Sequence, residues 1–522
     1  MSLLLLSCAQ AVDASGPARP AVSLSLQDLT PSGEPFGWYV QGDAATLEQY
    51  VQTDPASGLP RWVLRNRGTS PALIYTRSET GGACHRRLRI AAEARTEDSG
   101  QVGGVISVAG EADAGAPTTL TRRWVEVRHE LDGIPCLAPE ALVGFSVRGH
   151  AELRRLHILL DGRPEVVPTL APVRWADLAA LRRVAASPGE PQRTPNLTDV
   201  LGRRVVALGD NGPGASSAFA SKFALVRHLA STGRLQTISL EVPAVAAEHV
   251  DRYTRGVDDD RSSMMDALAS TPWRFAHRLA LIDWLRATNG ERAQPIRLVG
   301  FDVQQPRWAL RALERAGIRI DEVLAPWQRG EAARALTALE ALAPRAAADP
   351  ELARYLRLAR RGLQMERPDL SGESRGFYMA DEVLRLARGQ SGQLLLWADN
   401  TQVSRQAGQI GGALAEALGA DYAAIAWTFA EGTYAAAGTA TPLAAQAPYP
   451  GTHEHLLANT GLERFVLALA DVSEEHPLRE RRGLRVLGAA GQSFDQFLPL
   501  ALAAHFDAIG FDRRTTPAHR EE

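Results

Sequence analysis

One stretch, residues 204–241, constrains the fold more than any other: RVVALGDNGPGASSAFASKFALVRHLASTGRLQTISLE. Val205 to Leu208 form a short apolar run, the pattern of a fully buried strand. Gly209, Asp210, Asn211, Gly212, Pro213 and Gly214 follow as a turn. Phe219, Phe223, Val226 and Leu229 then recur at helical spacing. A second apolar strand, Thr237 to Leu240, ends on Glu241. Strand–helix–strand units build parallel sheets, and such sheets place chemistry beyond the carboxyl ends of their strands. Asp210 and Glu241 both stand at such ends, so they are expected to face one cleft.

The same reasoning divides the chain. Residues 1–20 read as a tail; MSLLLLSC, ending at Cys8, has the look of a truncated lipoprotein signal or of an unstructured start. An exported protein follows from the first reading, a cytoplasmic one from the second. Residues 21–162 read as an all-β sandwich, with strand candidates at 36–42, 61–68, 88–98, 103–110, 122–132, 141–149 and 154–162. Residues 163–195 are a Pro-rich linker containing one helical piece, Trp175 to Ala185. Residues 196–522 are an α/β domain whose strands are RVVALGD, TISLE, IRLVGFD, LLLWAD, YAAIAWTF, RFVLALAD and RVLGAA. A mostly helical insertion, 306–388, covers the cleft or packs beside it, and its Arg/Glu pairs read as a solvated face.

A net charge of −3 gives no electrostatic basis for binding nucleic acid or an anionic membrane. No apolar run is long enough to span a bilayer. Lys222 is the only lysine in the chain, and it lies on the helix leaving the first turn. The three cysteines, Cys8, Cys84 and Cys136, form no Cys-x-x-Cys pattern, so a zinc site is not expected. Cys84 and Cys136 can pair only in an oxidising compartment.

The 204–241 unit resembles the start of the erythromycin-esterase-like hydrolases, whose first strand ends in Gly-Glu-x-x-His-Gly and whose second ends in glutamate. The likeness continues through YTRGVD (Tyr253 to Asp258), Trp273, Asp283 to Arg286, GFDVQ (Gly300 to Gln304), LLLWADN (Leu394 to Asn400), TFAEGTY and FDAIGFDRRTTPA. It spans roughly residues 196–520. The order of strands in the first domain resembles a jelly-roll, carbohydrate-binding-like module. For that module the resemblance implies sugar contacts through aromatics such as Trp38, Tyr39 and Trp62; packing in the core is the alternative.

The departures from the family pattern bear on chemistry. Its first glutamate falls on Asp210, its general-base histidine on Pro213 and its helix arginine on Lys222. The histidine of its Ala-His-Asn strand end falls on Asp399, and a further histidine falls on Gln402. Glu241 alone is unchanged. Proline and glutamine do not titrate and aspartate is a weak base, so the family's imidazole chemistry is expected to fail. Asp210, Glu241, Lys222 and Asp399 are the candidate acid–base groups. Asn211, Pro213, Arg255, Asp302 and Gln402 are the candidate ligand contacts.

No cofactor is expected, though a divalent cation among Asp210, Glu241 and Asp399, with Asp302 as a fourth donor, is an alternative. His453 and His455 flank Glu454 as a weak metal pattern or, alternatively, a helix start with solvated histidines. Ser216 and Ser217 read as helix caps rather than nucleophiles. His277 is a remote candidate for reaching the cleft. Three functions follow: a cleft binding a small oxygen-rich ligand (macrolide, ester or sugar) without ordinary ester hydrolysis; an active hydrolase or natural-product tailoring enzyme using the carboxylates and Lys222; or a surface protein binding glycan through the jelly roll.

Overall fold

The computed structural model describes residues 26 and 29 and residues 35–519, except 36, 43–45, 80–85, 109–110, 135–139, 165–173, 213, 270, 366–374, 407, 436–440 and 488–495. The tail 1–20, all three cysteines and Pro213 therefore lie outside the described residues, and with them the Cys84–Cys136 pairing.

The N-terminal region is all-β, and its organising strand is unusually long. The two strands expected at 141–149 and 154–162 are one strand, Glu140–Leu160. Its first half pairs antiparallel with Ala72–Glu79 and Gly100–Val108. Its second half pairs with Pro60–Asn66 and Arg86–Arg95. Gly149, at φ 69°, marks the change of partners; a Cβ there would stand 2.4 Å from the Ser99 carbonyl oxygen, so glycine is required. Ile74, Phe145, Trp62, Ile90 and Leu153, drawn from both halves, share one core. Trp38 and Trp62 belong to that core, 1% and 0% exposed, with their rings edge-to-face. They cannot be sugar contacts, and only the strand position of Tyr39 is described.

The second domain holds a mainly parallel sheet. Its strands are β1 (Val205–Leu208), β2 (Leu235–Pro243), β3 (Arg297–Asp302), β4 (Gln393–Trp397), β5 (Tyr422–Tyr434), β6 (Arg464–Ala468) and β7 (Ala508–Thr515). Their order is β3-β2-β4-β1-β5-β7-β6, and only β6 runs antiparallel to its neighbour along this path. Of the strand expected in RVLGAA (485–490), residues 488–490 lie outside the described residues; Arg485 ends a strand, Arg481–Arg485, that pairs with Phe497–Ala501 outside the main sheet. β1 is buried along its whole length, as an apolar run flanked by parallel neighbours should be.

The helices that matter for the site are α1 (Trp175–Val184), α2 (Ser217–Ser231), α3 (Ala247–Thr254), α4 (Ala276–Gly290), α5 (Arg307–Arg315), α6 (Pro350–Met365), α7 (Arg375–Arg388), α8 (Asn400–Val403) and α9 (His453–Ala458). The Pro-rich segment is not linker throughout. Leu178 and Leu181 of α1 enter the core of the α/β domain, and Ala186 pairs with Val466 on the β6 edge. The insertion has its own core, built on Leu310, Leu313, Leu358 and Leu363, which also takes in Val245 and Val303 beyond β2 and β3. Its charges are not all solvated. Glu382 is wholly buried and gathers Arg357, Arg361 and Arg385 at 3.2, 2.8 and 3.1 Å. Leaving that carboxylate unpaired would be costly, which explains why arginines crowd it.

Candidate functional site

The candidate side chains gather beyond the carboxyl ends of β1 to β4. Asp210 follows β1 and is 7% exposed. Its Oδ2 accepts from Lys222 Nζ at 3.0 Å and from Arg278 Nη2 at 2.9 Å. Lys222 comes from α2 and is fully buried; its ammonium also donates to the Gly209 carbonyl at 3.2 Å and lies 4.7 Å from the centre of the Trp397 ring. Burial drives the Lys222 amine down to about 8, helped by Arg278 and opposed by Asp210. Arg278, on α4, is also buried and lies 4.9 Å from the centre of the Trp273 ring. The second oxygen of Asp210 and the side-chain oxygen of Asn211 are buried with no hydrogen-bond donor among the described residues.

A second cluster sits beside the first. Glu241, near the carboxyl end of β2, accepts from Arg375 Nη2 at 2.8 Å and Gln402 Nε2 at 3.1 Å, both on Oε1. Arg375 also engages Asp302 at the end of β3, with Nη2 3.1 Å from Oδ2 and Nε 3.1 Å from Oδ1. Asp399, after β4, caps α8: its Oδ1 accepts the Gln402 amide N–H at 2.8 Å, and the Gln402 side chain accepts the Asp399 N–H at 3.3 Å. Burial raises the Asp399 carboxyl to about 6, and the Glu241 and Asp210 carboxylates add to the rise.

Asp210, Glu241, Asp302, Asp399, Lys222, Gln402 and Asn211 are thus brought to one end of the sheet. Arg255 is not. It pairs with Asp251 at 2.9 Å, and Asp251 also holds Arg297 at the start of β3, the opposite end from Asp302. Sequence reasoning missed Arg278 and Arg375. In a chain whose basic residues are arginine apart from Lys222, neither stands out by type, and Arg375 opens a helix remote in sequence from every strand end.

The remaining candidates resolve differently. His277 packs edge-on to Phe219 at 5.0 Å and stacks on Phe275 at 5.9 Å. Burial lowers its imidazole to about 4, with Arg278 and Lys222 adding and Asp210 opposing. It is a neutral ring near the Asp210 cluster, and its Nε2 is buried with no partner among the described residues. His453 is fully buried rather than solvated, with Nε2 2.9 Å from the Leu500 carbonyl oxygen. Glu454 is buried too and accepts from Thr428 Oγ1 at 2.5 Å. Ser216 bonds Thr516 instead of capping α2; the Ser217 side chain is outside the description. Among the described residues no three His, Cys, Asp or Glu side chains are grouped to hold a metal ion. Asp210, Glu241 and Asp302 face Lys and Arg instead. No described helix is long and apolar enough to cross a membrane.

Comparison with known proteins places this frame. A succinoglycan biosynthesis protein superposes with a TM-score of 0.57 at 17% identity, over 67% of this chain and 99% of that one. A Bacillus cereus protein gives 0.56 at 17% identity, over 67% and 100%. An erythromycin esterase mutant, EreC, in its open conformation gives 0.48 at 18% identity, over 65% and 98%. No curated protein matches the sequence. The erythromycin esterase family model matches residues 235–367 and 345–515, more than half of the sequence. The chain belongs to the erythromycin esterase family.

Proposed function

We propose that the cleft binds a small oxygen-rich ligand, a macrolide, ester or sugar, without ordinary ester hydrolysis. The observation that carries this reading is the pairing of its charges. Asp210 is held by Lys222 and Arg278, and Glu241 and Asp302 share Arg375. A carboxylate held between cations is a poor base, and the group at the family's histidine position, Asp399, is tied into a helix cap. The same groups offer hydrogen-bond donors and acceptors to hydroxyl and carbonyl groups.

A second reading rests on Asp399. A carboxyl raised to about 6 near the side chains of Glu241 and Asp210 can perform acid–base work, so a tailoring or hydrolytic reaction through Asp399 is the rival. The N-terminal region we read as a jelly roll, on the strength of one strand serving two sets of partners. The test is incubation of the full chain with erythromycin and with simple aryl esters, alongside a binding titration of the same compounds. Binding without turnover is the expected result. Turnover abolished by Asp399→Asn or Asp210→Ala would establish the rival.

A further inference from the structure

A cavity of about 1340 Å³ lies away from this cleft. It opens beside Thr237 and Leu298 at the amino ends of β2 and β3 and runs as far as Gly300 and Ala244; Glu241, Asp302 and Asp399 are not among its lining residues. Its basic wall is organised by one buried carboxylate. Asp251, 3% exposed, takes Arg255 Nε and Arg297 Nη2 at 2.9 Å each, and its Oδ1 accepts the Leu298 N–H at 2.9 Å. Two guanidiniums share one negative charge, so the cluster stays positive while both arginines are pinned in place. Arg252, on the same helix, lines the cavity and reaches Asp258 only at 3.7 Å. On the α6 side Tyr355 sits between two carboxylates, Glu248 of α3 at 3.0 Å and Glu351 of α6 at 2.5 Å, and Arg354 pairs with Glu248 at 2.5 Å.

We infer that this groove binds a hydroxylated small molecule carrying one phosphate or carboxylate, such as a sugar phosphate or sugar acid. Arginine forks held by a carboxylate present ordered N–H groups to an oxyanion. An uncharged sugar would leave the Arg255–Arg297 excess charge unmatched. A polyanion would meet Asp349 and Glu351, which line the cavity at the start of α6. The volume exceeds what a bare ion needs and suits a small metabolite. This site is independent of the reading given to the cleft.

The experiment is calorimetric titration of the full chain with glucose 6-phosphate, glucuronate, glucose and inorganic phosphate. Trp308 fluorescence is a second readout, because its ring lies 5.7 Å from that of the cavity-lining His249. Saturable binding of glucose 6-phosphate or glucuronate is expected, with glucose and phosphate each at least tenfold weaker, roughly the loss of one charged contact. Arg255→Ala and Arg252→Ala should each weaken binding about tenfold. Arg252 is half exposed, so its replacement leaves the fold intact. Asp210→Asn should leave binding unchanged. Three results would overturn the assignment: no saturable binding of either anion, equal binding of glucose or free phosphate, or binding lost in Asp210→Asn and retained in both arginine variants.

Discussion

The backbone N–H of Asn400 donates to the carbonyl of Asp210 at 2.7 Å, tying the turn after β4 to the turn after β1. The Asn400 side chain then spans to β5, donating to the Trp427 carbonyl at 2.8 Å and accepting the Trp427 N–H at 2.9 Å. One asparagine therefore sets the spacing of Asp210 and Asp399. A Cβ on Gly209 would fall 2.1 Å from Asn400 Oδ1, so that glycine is part of the same junction.

Asn400→Ala should cost about 2–4 kcal/mol, because it strands two buried main-chain groups of Trp427. Gly209→Ala should disturb the same junction by a comparable amount. Urea unfolding midpoints check both. If the two losses are not additive in the double variant, the residues act as one unit, which is the expectation.

Asp210 has two cations, and their removal should be strongly non-additive. Lys222→Met and Arg278→Met should each cost about 1 kcal/mol, since one partner remains. Together they should cost about 3–5 kcal/mol, the penalty of a buried charge left alone. The lysine adds a pH signature. Its folded amine titrates at about 8 against 10.5 ordinarily, so the unfolded chain holds more protons between these values. Wild type should gain stability relative to Lys222→Met as pH rises through about 8 towards 10.5. Melting temperatures of the two proteins across that range measure the effect.

Asp399 gives the opposite slope. Its folded carboxyl sits at about 6 against 3.8 in the unfolded chain, so the folded state holds the extra proton between these values. Stability of the wild type should fall as pH rises from 3.8 to about 6 and then level off. Asp399→Asn keeps a residue able to cap α8 and removes the buried charge. It should be more stable than wild type at neutral pH by on the order of 2 kcal/mol, with the difference vanishing at acid pH. Chemical denaturation at a series of pH values reads this directly.

How much of this was legible in the sequence depends on the range of the forces involved. β1 to β4 and their terminal carboxylates announce themselves, because apolar runs and the residues ending them are local patterns. Nothing local to Trp38 or Trp62 separates a core ring from a sugar contact; their burial depends on strands far apart in the chain. The merging of 141–149 with 154–162 has no local signal: Gly149 reads as a strand end, yet neighbouring strands pair across it. Arg278 and Arg375 were hidden for the same reason. Their partners, Asp210 and Glu241, lie 68 and 134 residues away. A charged helix pattern cannot show that one of its carboxylates, Glu382, faces inward.

The burial of Lys222 has a practical side. The chain owns one lysine, and the folded protein keeps it wholly out of solvent. Reagents that seek lysine amines, whether cross-linkers, biotin esters or acetylating agents, meet none on the native surface, so the appearance of label at Lys222 would report that the cleft itself had come open.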